Sequence, residues 1–330
     1  MKASNSTRRS LASREPALQI EKGLRMKVVD LFAGCGGLSL GFQKQGFDVV
    51  AAFDAWAPAV KCYAANFDHP IFQTDLSDVD ASVKQIRKFR PDVIIGGPPC
   101  QDFSHAGKRT EAGRAALTDA YALIVAAVKP KFFVMENVDR ARRSRAYADA
   151  RAIFKEAGYG LSEVTLDASL CGAPQKRKRF ICFGKLTEED GFALDEFTAG
   201  LSEKPMTLRD YFGDSLGFEF YYRHPRNYTR RAVFSIDEPA PTMRGVNRPI
   251  PKGYPGHPQD SCPVSESLHA LTTPERALIQ TFPPDFKWVG TKTAIEQMIG
   301  NAVPVNLAQY VAKVVQNVAA RKTSRKRAEN

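Results

Sequence analysis

Between Met26 and Gly184 the chain alternates short β-rich runs with amphipathic stretches, an order of elements that few folds can accommodate. The runs predict strands at Val28–Phe32, Val49–Asp54, Ile71–Thr74, Val93–Ile95, Phe132–Met135, Leu161–Leu166 and Phe180–Phe183. The stretches between them, such as Tyr121–Val128 and Ala146–Glu156, have the length of helices that connect parallel strands. The sequence therefore predicts an α/β fold with a doubly wound, mostly parallel, Rossmann-like sheet.

The regular alternation stops near Gly184, and a helical pattern returns only near Thr293. The residues between them are rich in proline, glycine, arginine and aromatic side chains, which predicts a smaller domain of loops and short strands over residues 186–290. Residues 26–185 and 291–320 are predicted to form one domain, completed by helices at Ala294–Met298 and Val305–Ala320. The polar, basic ends, residues 1–25 and 321–330, are expected to be a disordered lead and tail.

The chain carries a formal net charge of +11 at pH 7. Such an excess of lysine and arginine favours a polyanionic partner, because each neutralised phosphate releases condensed counterions; the alternative is a basic but inert surface. The six cysteines form neither a CxxC pair nor a zinc spacing, and no apolar stretch has membrane-spanning length. We therefore expect a reduced, cytoplasmic protein that needs neither a metal nor a membrane.

A glycine-rich turn follows the first predicted strand, in VVDLFAGCGGLSLGF (Val28–Phe42). Its glycines, Gly34, Gly36 and Gly37, let the backbone turn sharply and approach a ligand closely. Asp54 ends the next strand about 20 residues further on, where a carboxylate can bind ribose hydroxyls. The same pattern also fits a dinucleotide site, or turn glycines and strand caps that bind no ligand.

Three further residues distinguish this turn from a nicotinamide site. Ser39 stands where the third glycine of GxGxxG belongs. Asp75 ends the third strand, where it can reach the adenine edge of a nucleoside, and Phe32 supplies an apolar face nearby. Together these residues favour a pocket for S-adenosylmethionine.

A cysteine follows the fourth strand, in GGPPCQDFS (Gly96–Ser104), at the sheet edge where this cofactor would lie. Pro98 and Pro99 fix the backbone there, so Cys100 is placed as a nucleophile rather than as a packing residue. Carbon 5 of a pyrimidine is a poor nucleophile, and thiolate addition at carbon 6 enables it to attack a sulfonium methyl group. The arrangement therefore indicates methyl transfer to carbon 5, which also needs an acid near ring nitrogen 3.

The fifth strand supplies such an acid, because its sequence FFVMENV ends in Glu136-Asn137. A protonated Glu136 would hold nitrogen 3 and relieve the charge that builds on thiolate addition. The run QKRKRF (Gln175–Phe180) puts Arg177 and Arg179 on one face by strand alternation, near the base carbonyl and a flanking phosphate. Viewed alone, Glu136 also fits a helix-capping residue, and the basic run fits a solvated surface.

Taken together, these motifs resemble those of the cytosine-C5 DNA methyltransferases of bacterial restriction-modification systems. DLFAGCGGLSLGF resembles the first motif of that family, GGPPCQDFS its catalytic loop, FVMENV its glutamate motif and QKRKRF its paired-arginine motif. LTTPERALIQTFP (Leu271–Pro283) resembles the late motif that supports the recognition domain, and QMIGNAVPVNLA (Gln297–Ala308) the closing motif that completes the cofactor pocket. All six occur in the family's order and cover Val28–Gly184 and Leu271–Ala320.

The resemblance implies a role for each matching residue. Cys100 becomes the nucleophile, and Glu136 becomes the acid at nitrogen 3. Arg179 contacts the base carbonyl, with Arg177 supporting it nearby. S-adenosyl-L-methionine, released as S-adenosyl-L-homocysteine, would be bound by Phe32, Gly34, Gly36, Gly37, Leu38, Asp54, Asp75, Pro98, Leu117, Asn301 and Val303.

Two residues depart from the family pattern at the cofactor end. Asp54 stands where the family usually has a glutamate on the second strand, and this shorter carboxylate can still hold the ribose with an adjusted geometry. The family often has an aromatic residue next to this acid to pack on adenine, whereas here Ala55 follows and Trp56 comes one position later.

The target carbon is inaccessible inside a stacked duplex, so an enzyme of this family must flip the cytosine out of the helix. The polar segment after Cys100 is expected to close over that base, and its DNA-contacting candidates are Pro99, Gln101, Ser104, Lys108 and Arg109. The family reads a short target sequence between its arginine motif and its late motif; arginine suits guanine, and asparagine suits adenine. The candidates in that region are Arg223, Arg226, Arg230, Arg231, Arg244, Asn247 and Arg248.

The resemblance implies a monomeric enzyme that acts on double-stranded DNA in the nucleoid, with a restriction endonuclease that shares its site without stable binding. Three other functions stay open. An RNA cytosine-C5 methyltransferase has the same catalytic motifs but a shorter insertion, and a catalytically idle DNA-binding protein would not need Cys100, Glu136 and Arg179. A pyridine-nucleotide oxidoreductase explains the glycine turn alone.

Overall fold

The structure is a computed structural model that describes residues 25–99, 112–227, 229–265 and 267–328. Strands in this part of the chain are β1 (Lys27–Leu31), β2 (Asp48–Asp54), β3 (Ile71–Gln73), β4 (Val93–Gly96), β5 (Phe132–Val138), β6 (Tyr159–Asp167), β7 (Gln175–Lys176), β8 (Lys178–Leu186), β9 (Phe220–Tyr222), β10 (Val233–Ser235), β11 (Ala240–Pro241) and β12 (His269–Ala270). Its α-helices are α1 (Gly37–Lys44), α2 (Ala57–Ala64), α3 (Val79–Ile86), α4 (Ala112–Val128), α5 (Arg145–Glu156), α6 (Leu194–Ala199), α7 (Leu208–Phe212), α8 (Thr273–Ile279), α9 (Lys292–Asn301) and α10 (Val305–Ala328). The predicted lead lies outside the described residues, apart from Arg25.

Seven strands form the main sheet, in the order β3-β2-β1-β4-β5-β8-β6. The first five run parallel, and β8 lies antiparallel between β5 and β6. Every residue of β4 is buried, as expected for a parallel strand with helices on both faces. The prediction of a doubly wound, mostly parallel sheet is therefore confirmed.

Helices cover both faces of this sheet. On one face α1 and α10 pack together, with Phe42 and Val311 in the same buried cluster as the sheet residue Val28. On the other face α4 and α5 cover the sheet, and the rings of Phe133 and Phe154 stack 4.2 Å apart. The functional residues described below are thus attached to a rigid core.

The last helix is longer than the sequence pattern predicts. It continues to Ala328, beyond the expected end at Ala320, so the tail expected from Arg321 is helical in this range. Arg321 also pairs with Glu196 of α6. The extension has a simple cause, because the sequence RKTSRKRA contains neither glycine nor proline to stop a helix.

The region between residues 186 and 290, which we call the recognition region, contains short strands as predicted. β9 pairs antiparallel with β10 and parallel with β12. β11 pairs with β7 in a separate two-stranded sheet, where Pro241 lies opposite Lys176. The helix α8 was not predicted, although its capping box of Thr272 and Glu275 is a sequence signal for a helix start.

Candidate active site

The glycine turn, the proline pair and Glu136 meet at one edge of the main sheet. β1, β4 and β5 are adjacent and parallel, with Leu31 opposite Gly96 and Gly96 opposite Met135. Parallel strands end at the same edge, so the segments that follow them leave the sheet side by side. The structure thus brings together three motifs that are far apart in the sequence.

Glu136 forms a buried ion pair with Arg179 at this edge. The Arg179 Nε atom lies 2.7 Å from Glu136 Oε1, and Glu136 is only 8% exposed. Burial raises the pKa of the Glu136 carboxyl, although the charge of Arg179 opposes this shift. Glu136 Oε2 faces Gly97, where an added Cβ would lie 3.1 Å away. The carboxyl group is therefore held at one oxygen and directed at the segment that leads to Cys100.

Asn137 fixes the backbone of that segment. Its Nδ2 atom donates to the carbonyl oxygen of Pro98 at 3.0 Å, and its Oδ1 atom accepts from the backbone of Val138 at 2.8 Å. Pro98 is buried and Pro99 half-buried. The chain therefore passes directly beside Glu136 as it approaches Cys100. Sequence reasoning noted Asn137 without giving it a role.

Part of the predicted site lies outside the described residues. These residues are Cys100, Gln101, Ser104, Lys108 and Arg109. Leu117, the next cofactor candidate along the chain, is half-buried in α4.

Arg177 lies between β7 and β8, and its partners differ from those of Arg179. It is 1% exposed and donates to the backbone oxygens of Met243 at 2.9 Å, Gly300 at 2.9 Å and Ala302 at 3.0 Å. Burial lowers the pKa of this guanidinium well below its ordinary value. Arg177 thus ties the recognition region to the segment after α9, behind the site, and a part in catalysis stays a prediction.

The glycine turn has a shape that only glycine adopts readily. Gly34 and Gly36 have φ angles of 57° and 95°, in the left-handed region. A Cβ at Gly34 would meet no described heavy atom within 4 Å, whereas one at Gly36 would collide with the ring of Phe67. A side chain at Gly37 would collide with the carbonyl oxygen of Val303. The turn is therefore packed on one side and open at Gly34.

Two carboxylates lie beside the turn. Asp54 accepts backbone N–H groups from Gly34 at 2.8 Å and from Trp56 at 2.8 Å, and burial raises its pKa. Asp75 is exposed, and the N–H of Ser77, 3.0 Å from it, lowers its pKa. Asp54 therefore shapes the glycine turn itself, while Asp75 faces solvent and can meet a ligand.

The remaining cofactor candidates differ in what they can offer. Leu38 lies in the first turn of α1, and its side chain is buried in the core. Phe32 is half-buried with a φ of 57°, at the point where β1 enters the turn. Asn301 is exposed at the end of α9, and Val303 is buried against Gly37.

Trp56 is 37% exposed at the start of α2, beside Asp54. An indole at this position has an accessible face on which a planar ring can stack. The residue is one position later than the family pattern, and its contact to adenine stays a prediction.

A buried chain of hydrogen bonds under the turn escaped the sequence analysis. Ser39 donates to Asp30 at 2.7 Å, and Tyr63 donates to Ser39 at 2.7 Å. His69 Nε2 lies 2.6 Å from the same tyrosine oxygen. Burial raises the pKa of Asp30 to about 7. The one signal in the sequence was Ser39 itself, which occupies the position of the third glycine.

Several of the predicted DNA-contacting arginines are bonded within the recognition region. Arg231 donates to Glu238 at 2.9 Å and to the Val233 carbonyl at 2.9 Å. Arg244 donates to the His224 carbonyl at 2.6 Å. These side chains hold loops in place and have fewer donors left for DNA.

The other candidates divide in the same way. Arg223 bonds to the Thr242 carbonyl, and burial lowers its pKa to about 10. Asn247 donates to the Leu271 carbonyl at 2.8 Å. Three candidates are exposed, namely Arg226, Arg230 and Arg248. The structure thus separates residues that support the region from residues that can reach a ligand.

Two absences concern the described part of the chain alone. Within it, no group of three or more histidine, cysteine and carboxylate side chains could hold a metal ion. No helix there has the length and apolar character needed to span a bilayer.

The sequence is similar to a known protein family and to individual members of it. The family model for "C-5 cytosine-specific DNA methylase" matches residues 26–317. The chain is 56% identical over 294 residues to the type II methyltransferase M.HindV of Haemophilus influenzae, covering 88% of this chain and 97% of that protein. It is 55% identical over 292 residues to the type II methyltransferase M.HgiDI of Herpetosiphon aurantiacus, covering 88% and 94%.

Solved structures share the fold. A putative DNA modification methyltransferase of an Escherichia coli prophage superposes with a TM-score of 0.66 at 23% identity, covering 90% of this chain and all of that one. The S. pombe Dnmt2 methyltransferase superposes with a TM-score of 0.66 at 18% identity, covering 89% and 99%. At these identities the likeness concerns the fold alone.

Proposed function

This chain belongs to the C-5 cytosine-specific DNA methylase family and is a type II DNA cytosine-5-methyltransferase; from this premise we propose that it methylates a flipped cytosine through a covalent bond to Cys100. The observation that carries the proposal is the buried Glu136–Arg179 pair beside the segment that leads to Cys100. Its buried carboxyl group, with a raised pKa, suits a proton held at ring nitrogen 3.

The residues account for the addition of the thiolate to the ring and for its elimination. The Cys100 thiolate adds to carbon 6 while Glu136 supplies a proton to nitrogen 3, so negative charge does not accumulate on the ring. Carbon 5 would then take the methyl group that the bound cofactor supplies. Loss of the carbon 5 proton to water, elimination of the thiolate and return of the nitrogen 3 proton to Glu136 would restore the aromatic ring. Arg179, bound to Glu136, orients this carboxyl group and can reach the base carbonyl.

The residues at the glycine turn fit S-adenosyl-L-methionine. The space at Gly34 is open, where a Cβ would meet nothing within 4 Å among the described residues. Each oxygen of Asp54 accepts one backbone N–H and retains a lone pair for a ribose hydroxyl. Trp56 and Asp75 are exposed, and both would contact the adenine. When bound, the cofactor supplies an electrophilic methyl group.

Sequence-specific binding is assigned to the recognition region. Arg226, Arg230 and Arg248 are exposed there, and arginine can read guanine or bind phosphate. The substrate is a short target in double-stranded DNA, and a restriction endonuclease would act on the same target.

Bisulfite sequencing tests the proposal on plasmid from cells that express the wild type or Cys100→Ser. We expect cytosines of one short sequence to be protected in the wild type and converted in the variant. If no DNA cytosine is protected although the wild type is folded, the proposal fails, and RNA substrates become the next test. Equal protection by Cys100→Ser would instead exclude this nucleophile.

A further inference from the structure

A run of arginines follows the catalytic strand β5 and takes no part in the mechanism above. The sequence DRARRSR (Asp139–Arg145) holds four arginines and one aspartate. Arg142 and Arg143 are exposed. The segment begins two residues after Asn137, so its position near the site follows from chain connectivity.

This segment is held rigidly. Residues Asp139–Arg143 form a 3-10 turn around the buried side chain of Ala141. Ser144 donates to the Ala141 carbonyl at 2.8 Å and accepts from the N–H of Tyr147 at 3.1 Å, which caps α5. The carboxylate of Asp139 accepts from Thr165 at 2.7 Å. The arginine backbone is therefore fixed before any ligand arrives, so binding would cost little loop ordering.

Further cations extend the surface toward the recognition region. The 3-10 turn packs against β8, whose first residue, Lys178, is exposed. Lys176 is also exposed and lies opposite Pro241 of the recognition region, in the two-stranded sheet of β7 and β11. We call Arg142, Arg143, Lys176 and Lys178 the basic track.

We propose that the basic track binds the phosphate backbone of the DNA that flanks the target cytosine. The proposal rests on the proposed function. Arg142 is six residues from Glu136, so the chain limits their separation to about 22 Å, or about six base pairs of duplex. Arg142 therefore lies within about 22 Å of the carboxyl group to which a duplex would deliver its cytosine. Arginine and lysine fit phosphate oxygens, and such contacts position DNA without reading its sequence.

The test compares R142A/R143A with the matched double variant K84A/K88A. Lys84 and Lys88 are exposed at the opposite edge of the sheet, ahead of β4, and their removal changes the net charge equally. Binding to a duplex that contains the target sequence is measured as a function of salt. For R142A/R143A we expect the slope of log K against log salt to fall by about 1.8, because two phosphate contacts are lost. K84A/K88A should keep the wild-type slope.

Two further measurements separate the possible failures. R142K/R143K keeps both charges and should restore the wild-type slope, which a merely structural role for these arginines would not require. Bisulfite sequencing should show the same target sequence in R142A/R143A as in the wild type. A wild-type slope in R142A/R143A, with methylation intact, overturns the basic track alone. If the wild type neither binds nor methylates DNA, the proposed function fails with it.

Discussion

The edge of the main sheet that carries Glu136 and the recognition region both depend on arginine, but the partners of arginine are determined differently in the two places. At the edge, β5 and β8 pair antiparallel with Val138 opposite Arg179, which makes Glu136 a diagonal neighbour of Arg179 on the same face. In the recognition region, Arg230 is exposed, whereas Arg231, the next residue, is bonded to Glu238. Strand register thus specifies contacts that irregular loops leave to local packing.

The largest expected effect tests whether Glu136 takes part in catalysis. We expect Glu136→Gln to lower the rate of methyl transfer by about 10²–10⁴-fold, because the amide cannot supply a proton to nitrogen 3. A single-turnover assay with labelled cofactor and duplex measures this rate. The exposed Glu156→Gln serves as control. A Glu136→Gln enzyme of normal rate would remove the carboxyl group from the mechanism.

The buried carboxyl group of Asp30 should make the free energy of unfolding depend on pH. Burial raises the pKa of Asp30 from 3.8 to about 7, so the folded state holds this proton more tightly than the unfolded chain. Protonation of Asp30 therefore contributes on the order of 4 kcal/mol to the free energy of unfolding below pH 4. This contribution is lost as the pH rises to 7.

We therefore expect Asp30→Asn to flatten the free energy of unfolding between pH 4 and 7. Urea titrations at several pH values provide the measurement. An unchanged pH dependence in Asp30→Asn would show that Asp30 does not hold the proton.

Arg177 tests whether a buried arginine near the site acts on stability or on chemistry. Arg177→Ala leaves three backbone oxygens without their donor, and we expect it to lower the free energy of unfolding by about 3 kcal/mol. Arg230→Ala is the exposed control, with an expected change of less than about 0.5 kcal/mol. If Arg177→Ala keeps its stability but loses activity, the residue belongs to the chemistry.

The smallest expected effect distinguishes exposed arginines of the recognition region from those bonded within it. Removal of Arg226 and Arg230 together should lower the salt slope of DNA binding by about 1.8. Arg231→Ala should leave that slope unchanged and lower the free energy of unfolding by about 1 kcal/mol, through lost bonds to Glu238. A slope lower by about 0.9 in Arg231→Ala would show that Arg231 also reaches DNA.

The sequence was sufficient for the sheet and for the position of Glu136 beside Gly97, in the segment that leads to Cys100, because both depend on strand order. The sequence could not predict which side chains of the same type are buried or bonded and which are exposed. Leu38 matches a cofactor motif but lies in the core, and Arg231 looks like Arg230 in the sequence. The Asp30–Ser39–Tyr63 chain combines β1, α1 and α2, so no local pattern announces it.

The contact of Val303 with Gly37 has a consequence for the order of folding. α1 packs on α10 at the same place, where a side chain at Gly41 would collide with Ala308. The ribosome adds Val303 and α10 only after the whole recognition region. Contacts between residues so far apart in the sequence form late in folding. A nascent chain therefore completes the recognition region before the glycine turn acquires its contact with Val303.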